Sequence, residues 1–203
     1  MGSTWGNALK ISIFGESHGA GIGVVLDGFP AGVPYDEAFV LREMERRAPG
    51  RNRQSTARRE ADTPQILSGV YGGKTTGTPI CAVIGNTNTR SQDYAALADQ
   101  PRPGHADYTG AVRYHGFNDP RGGGHFSGRL TAPLVFAGAL CKLYLKKKGV
   151  TVGAHIQSIA QIQDTAFDDV AVSADELDAL RMQEYPILNP RALPKSDRSH
   201  VVL

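Results

Sequence analysis

Lys10-Ile-Ser-Ile-Phe-Gly-Glu-Ser-His-Gly-Ala-Gly-Ile-Gly-Val-Val-Leu26 is the stretch whose reading decides the fold. Lys10 to Phe14 and Ile22 to Leu26 are short β-rich runs, and Gly15 to Gly21 between them is a glycine-rich loop, so the stretch reads strand, loop, strand. The pentapeptide Gly15-Glu-Ser-His-Gly19 also has the G-x-S-x-G form of a hydrolase nucleophile elbow. An elbow needs a strand, a sharp turn and then a helix. Ala20-Gly-Ile-Gly-Val-Val-Leu26 instead carries two glycines and a β-branched pair, poor in a helix and acceptable in a strand. A serine hydrolase using Ser17 is therefore a minor alternative.

Outward from this stretch, Asp36 precedes Glu37 to Arg47 as an N-cap, and Pro49-Gly50 stops the helix that follows. Gln65 to Tyr71 and Thr78 to Ile84 read as two strands joined around Gly72-Gly73-Lys74, an antiparallel hairpin. Ser68 to Thr75 is one residue away from a phosphate-binding P-loop. Thr76-Gly-Thr-Pro79 cannot open the helix such a loop requires, so a plain hairpin is the better reading. Residues 86–128 carry almost only loop signals, and a loop of that length is commonly functional. Thr131 to Lys148 is the clearest helix, with Pro133 in its first turn and Gly149 as its stop. Val150 to Ile162 alternates loosely like a strand, and Ser173-Ala-Asp-Glu176 is a capping box opening a helix to about Met182. Strands in hairpin order with segregated helices predict an α+β fold with antiparallel sheet.

The chain has 203 residues, 40% hydrophobic and 21% charged, which suits one globular core and excludes disorder and collagen-like repeats. Glycine supplies 24 residues, about 12% against a usual ~7%, and all but Gly153 lie at or before Gly149. That part of the chain is expected to hold tight turns or close approaches to a ligand. A net charge of +2 argues against nucleic acid and leaves small anions as partners. The longest apolar run, Ala132 to Leu145, is about 14 residues and contains Lys142, short of the ~20 a membrane span needs. The start of the chain has no leader pattern. Cys81 and Cys141 form no C-x-x-C, so neither zinc site nor disulfide framework is expected, and a cytoplasmic protein fits.

Three segments carry chemistry. Between Arg42 and Glu60 stand seven arginines, three glutamates and no lysine. Arginine's planar fork binds carboxylate or phosphate through two parallel bonds and keeps its charge. Arg51 and Arg53, beyond the Pro-Gly stop, are placed to enter a site, and Arg47 lies at its edge. In Arg102-Pro-Gly-His-Ala-Asp-Tyr108, His105 sits in a turn with Asp107 two residues on, suited to proton transfer near neutrality. A His-x-Asp pair also binds metals, but no third and fourth ligands stand at recognisable spacing. In Arg121-Gly-Gly-Gly-His-Phe-Ser-Gly-Arg129, three glycines expose backbone amides, and two arginines and Ser127 add donors for an anion.

Phe14-Gly-Glu-Ser-His-Gly, Arg46-Arg-Ala-Pro-Gly-Arg, Arg58-Arg-Glu, Leu67-Ser-Gly-Val, Asn86-Thr, Arg90-Ser-Gln-Asp-Tyr, Arg102-Pro-Gly-His-Ala-Asp-Tyr and Arg121-Gly-Gly-Gly occur in this order. Together they resemble the chorismate synthase family over roughly residues 5–150. The resemblance implies a phosphate lyase that converts 5-enolpyruvylshikimate 3-phosphate to chorismate by 1,4-elimination in aromatic amino-acid biosynthesis. It implies reduced FMN as cofactor, with NADPH involved only indirectly through flavin reduction, and no metal. On the same ground His18 is the acid that protonates the departing phosphate, and His105 is the partner of the flavin. Ser17, Arg47, Arg53 and Arg129 fall on the substrate side. Arg47, Arg53, His125, Phe126 and Ser127 fall on the cofactor side. Many members read Arg-Ser-Ser where this chain has His125-Phe-Ser127, so Ser127 is the firmest of the three.

The resemblance further implies helices packed between antiparallel sheets and a homotetramer, with no nucleic-acid or membrane partner. Family members continue well past this length, and their second half supplies further flavin contacts and an acidic residue. The expectation is a single, incomplete domain over residues 1–203 with a poorly patterned tail from 186. Residues 192–203 match no family segment, which points to a truncation or frameshift and to an inactive chain. A non-catalytic remnant that still binds flavin or an anion is the alternative of a different class.

Overall fold

The computed structural model describes residues 2–48, 62–87, 100–168 and 170–190. Among these, one compact unit runs up to Leu143 and a second begins at Tyr144. The first unit is built on a five-stranded antiparallel sheet. Its strands are β1 (Thr4–Trp5), β2 (Lys10–Gly15), β3 (Gly21–Asp27), β4 (Gln65–Ser68) and, after the small β5–β6 ribbon (Val70–Tyr71 and Lys74–Thr75), β7 (Ile80–Gly85). The spatial order is β1-β2-β3-β7-β4.

Strand alternation explains which face is buried. Ile22, Val24 and Leu26 of β3 lie opposite Ile84, Ala82 and Ile80 of β7, and all six are at most 2% exposed. Full burial of an aliphatic side chain is worth about 1.5–3 kcal/mol, so this face holds the register against a one-residue slip. Two helices add to the unit's core: α1 (Glu37–Arg47) through Phe39, Val40 and Met44, and α3 (Thr131–Lys146) through Ala132, Phe136, Ala137 and Leu140. Asp36 caps α1 as predicted, its carboxylate accepting from the Phe39 N–H at 2.9 Å. Lys142 Nζ meets Glu43 at 2.7 Å, tying the two helices together.

The strand-loop-strand reading of residues 10–26 holds, since Lys10↔Asp27 through Gly15↔Ile22 pair antiparallel. The predicted hairpin divides in two. β4 pairs with β7, a bulge falls between Ile66 and Ser68, and Gly72-Gly73 turn the separate β5–β6 tip. The segment that read as loop contains a short helix, α2 (Asp107–Arg113), whose interior Gly110 hid it: a Cβ there would strike the Phe126 ring at 2.7 Å. α3 ends at Lys146, and Gly149 takes φ +72 while its N–H bonds the Lys146 carbonyl, as a glycine stop should.

The second unit contains β8 (Ser158–Ile159), β9 (Ile162–Gln163) and α4 (Ala174–Arg181). The strand expected over 150–162 is reduced to the two-residue β8 and the first residue of β9. Asp164 accepts the N–H groups of Leu188 and Asn189 at 2.6 and 2.8 Å and meets His155 at 3.3 Å, which closes the unit locally. Ser173 caps α4 through the Glu176 N–H. The architecture is α+β with antiparallel sheet. Among the described residues no helix is long and apolar enough to cross a membrane.

Candidate functional site

The loop between β2 and β3 is held against the triple glycine. Ser17 is 2% exposed and its N–H donates to the Gly124 carbonyl at 3.1 Å. Gly122, Gly123 and Gly124 all have positive φ, at 59, 82 and 54°, a region costly to L side chains. Space is as restrictive as conformation. A Cβ on Gly122 would lie 2.1 Å from His18 Cε1, and one on Gly124 would lie 2.1 Å from the Asp119 carbonyl oxygen. On Gly123 it would approach Arg102 Nη2 at 3.6 Å and Ser127 Cβ at 3.7 Å. One tripeptide is therefore a floor on which Ser17, His18, Arg102 and Ser127 gather, distant in sequence and adjacent here.

Arg102 spends its fork on Asp107, with Nε at 2.8 Å, Nη2 at 3.0 Å and the backbone N–H at 3.0 Å. The hydrogen bonds from Arg102 hold the Asp107 carboxyl down to about 2. The bonds of Asp107 in this turn go to Arg102, the charge of His105 adds a smaller lowering, and His105 itself is exposed, with its backbone N–H to the Arg102 carbonyl at 3.3 Å. Arg121 similarly takes Asp119, Nη2 to Oδ2 at 2.7 Å, and those bonds hold Asp119 low. Beside them burial, and then the Asp119 charge, push the Glu16 carboxyl up.

Arg47 and Arg129 share one buried carboxylate. Arg47 Nη1 and Arg129 Nη1 donate to the two oxygens of Asp62, whose side chain is fully buried. Arg129 also donates Nε to Asn86 Oδ1 at 3.1 Å and Nη2 to the Gly85 carbonyl at 3.3 Å, and its side chain is 4% exposed. Arg47 donates Nε to Thr131 Oγ1 at 3.2 Å and is 20% exposed. Among the described residues Arg47 is the more open of the two, whereas Arg129 is enclosed. Asp62 has φ +48, a left-handed conformation tolerated by Asp and typical of functional clusters. Arg51 and Arg53 lie outside the described residues.

His125 donates Nδ1–H to the Gly15 carbonyl at 2.9 Å, and its Nε2 is hydrogen-bonded to Ser3 Oγ at 2.8 Å. Both nitrogens therefore serve the fold. Phe126 presents a ring 40% exposed, 6.0 Å from that of Tyr114. Ser127 Oγ accepts from the Arg129 N–H at 3.3 Å and keeps its own proton to donate. Among the described residues no group of three His, Cys, Asp or Glu is arranged to hold a metal.

Sequence reasoning missed Asp62, the Arg102–Asp107 pair and the hydrogen bonds of the Asn86 side chain. Arginine excess in the segment around Asp62 was the available signal, since a cluster of buried guanidinium groups needs an enclosed carboxylate.

A glycine-floored cluster of arginine–carboxylate pairs beside His18 thus lies on an antiparallel α+β fold. The chain belongs to the chorismate synthase family: the family's sequence profile, described as chorismate synthase, matches residues 9–191. Similar proteins described as chorismate synthase include one from Thiobacillus denitrificans, 49% identical over 178 residues, which are 87% of this chain and 47% of that protein. Another from Polaromonas naphthalenivorans is 54% identical over 161 residues, 79% of this chain and 44% of the relative. A crystal structure of a chorismate synthase superposes with a TM-score of 0.61 at 27% identity, covering 95% of this chain and 50% of the other. The chain spans about half the length of the curated relatives it matches.

Proposed function

We propose that the chain carries the arginine- and histidine-bearing part of a chorismate synthase site and acts in the 1,4-elimination of phosphate from 5-enolpyruvylshikimate 3-phosphate, with reduced FMN, in aromatic amino-acid biosynthesis. The observation that supports this most is the packing of the His18 ring on Gly122, beside Ser17. The imidazole on this glycine floor, beside arginine–carboxylate pairs, supports a proton-delivering role for His18. In this reading Arg47 binds an anionic group of the ligand, and Arg129 acts from behind it through Asp62. His18 gives its proton to the phosphate oxygen as the C–O bond breaks. Ser17 orients that phosphate. Arg53 belongs to the same reading and lies outside the described residues.

The donor chemistry fits a flavin mononucleotide: the exposed Phe126 ring beside Tyr114 offers an apolar face, Ser127 a hydroxyl donor and Arg47 a cation for phosphate. Reduced FMN, when bound, would supply an electron-rich ring. His105, exposed near the Arg102 turn, is the flavin's partner, and His125 acts by keeping the glycine loop against β2 through Gly15. The assembly is a homo-oligomer, a tetramer as the family resemblance implies.

The test is anaerobic titration of the chain with FMN, read by flavin fluorescence, together with phosphate release from the substrate under reduced FMN. Flavin binding supports the reading even without turnover. In a chain extended to the length of its relatives, His18→Ala and His105→Ala each lower turnover by about 10- to 10³-fold. Neither flavin binding nor turnover in either length of chain would overturn it.

A further inference from the structure

Asn86 follows the last residue of β7 and sends its side chain back across the loop that carries Ser17 and His18. Its Nδ2 donates to two carbonyls at once, Glu16 at 2.9 Å and Gly19 at 2.9 Å, the residues on either side of Ser17-His18. Its backbone N–H donates to the Ala20 carbonyl at 3.2 Å. Its Oδ1 accepts from Arg129 Nε at 3.1 Å, and Arg129 joins Asp62, which joins Arg47. Every polar atom of the Asn86 amide is thus committed, one end to the histidine loop and the other to the arginine pair. The amide group suits this position because it must both donate and accept. Aspartate has no side-chain donor when ionised, and serine is too short to bridge two carbonyls and a guanidinium.

We propose that Asn86 is a positioning residue for the reaction: it sets the loop of Ser17 and His18 in register with the Arg47–Asp62–Arg129 cluster, without touching substrate. This rests on the proposed function above. The consequence is a separation of effects. Ligand binding through Arg47 survives the loss of Asn86, because Asp62 and Thr131 still hold that side chain. Proton delivery from His18 does not survive, because a displaced acid loses the alignment on which transfer depends.

The test uses the full chain with Asn86→Asp, which has nearly the same shape, keeps an acceptor for Arg129 and turns a carboxylate oxygen toward two carbonyls. Amide hydrogen exchange is followed at Ser17, bonded to Gly124, and at Val24 and Ala82 in the sheet. Exchange at Ser17 is expected to rise about 5- to 100-fold, the loss of one or two net hydrogen bonds, with the sheet amides unchanged. The rate of His18 carbethoxylation rises with it. In a chain with turnover, kcat falls about 10- to 100-fold while KM holds. If Asn86→Asp does not fold, Asn86→Ala, which leaves the carbonyls to water, is read in the same way. Unchanged exchange at Ser17, or equal acceleration in loop and sheet, would overturn the proposal. A wild-type chain that binds neither FMN nor substrate would instead overturn the functional reading, and the exchange result would stand apart from it.

Discussion

Replacing Gly122 by alanine separates backbone strain from the packing of His18. Gly122 has φ +59, and a Cβ there would lie 2.1 Å from His18 Cε1, 2.2 Å from Nδ1 and 3.2 Å from Ser17 Oγ. Carbon contacts are comfortable at about 3.5–4.0 Å, so the ring must move by roughly 1.5 Å. The left-handed conformation costs a non-glycine residue about 1–2 kcal/mol, and overpacking adds about 1–3 kcal/mol. Loss of entropy in the unfolded chain returns about 0.4–1 kcal/mol. The sum is a destabilisation of about 1–5 kcal/mol. Gly72 is the internal control, with φ +56 and nothing within 4 Å of its Cβ position. Gly72→Ala carries the same conformational and entropic contributions without the clash, about 1 kcal/mol. The assay is thermal unfolding followed by circular dichroism, where 1 kcal/mol corresponds to roughly 2–4 °C for a chain of this size. Gly122→Ala should melt lower than Gly72→Ala by roughly 2–12 °C. In a His18→Ala background most of that gap should close, leaving only the lesser contact of the Gly122 Cβ with Ser17 Oγ at 3.2 Å. Equal melting points in the wild-type background, or a gap undiminished without His18, would refute the packing of His18 on the glycine floor.

Asp62→Asn leaves Arg129 enclosed without its counter-charge, and the expected loss is about 3–5 kcal/mol. Urea unfolding at neutral pH measures it, and a loss below about 1 kcal/mol would contradict the shared-carboxylate arrangement. Asp107 has its pKa depressed from 3.8 to about 2 by Arg102. Its stabilisation is present above 3.8 and lost as the pH falls through about 2, and amounts to about 1 kcal/mol after solvent screening. Stability curves of wild type and Asp107→Asn should therefore converge at the acid end and separate above pH 4; a constant gap across that window would be inconsistent. Ser173→Ala removes the acceptor for the Glu176 N–H and should cost α4 about 1 kcal/mol, read as faster amide exchange confined to Ala174–Arg181.

Some of this molecule was legible one residue at a time. Asp36 before an amphipathic run, Gly149 after a lysine run and Ser173 three residues before Glu176 each specify a helix end, because a cap is satisfied within a few residues of itself. The two glycines and the valine pair after His18 determined a strand where an elbow would need a helix, and the glycine triplet marked the floor of the cluster. These are local properties of φ, side-chain shape and hydrogen-bond reach.

Tertiary structure alone decided the partners. Asp62 reaches Arg129 across 67 residues and Asn86 reaches Arg129 across 43, and nothing near any of the three in sequence names the other two. Asp107, two residues from His105, pairs instead with Arg102, because the turn brings the planar guanidinium to it in bidentate register while His105 faces solvent. Turn geometry explains the Asp107 pair, and burial explains the Asp62 cluster. An enclosed charge is tolerable only beside its counter-charge, so the partner is chosen by which groups the folded sheet and helices enclose together, a matter the chain settles only once β3, β7, α1 and α3 have come into contact.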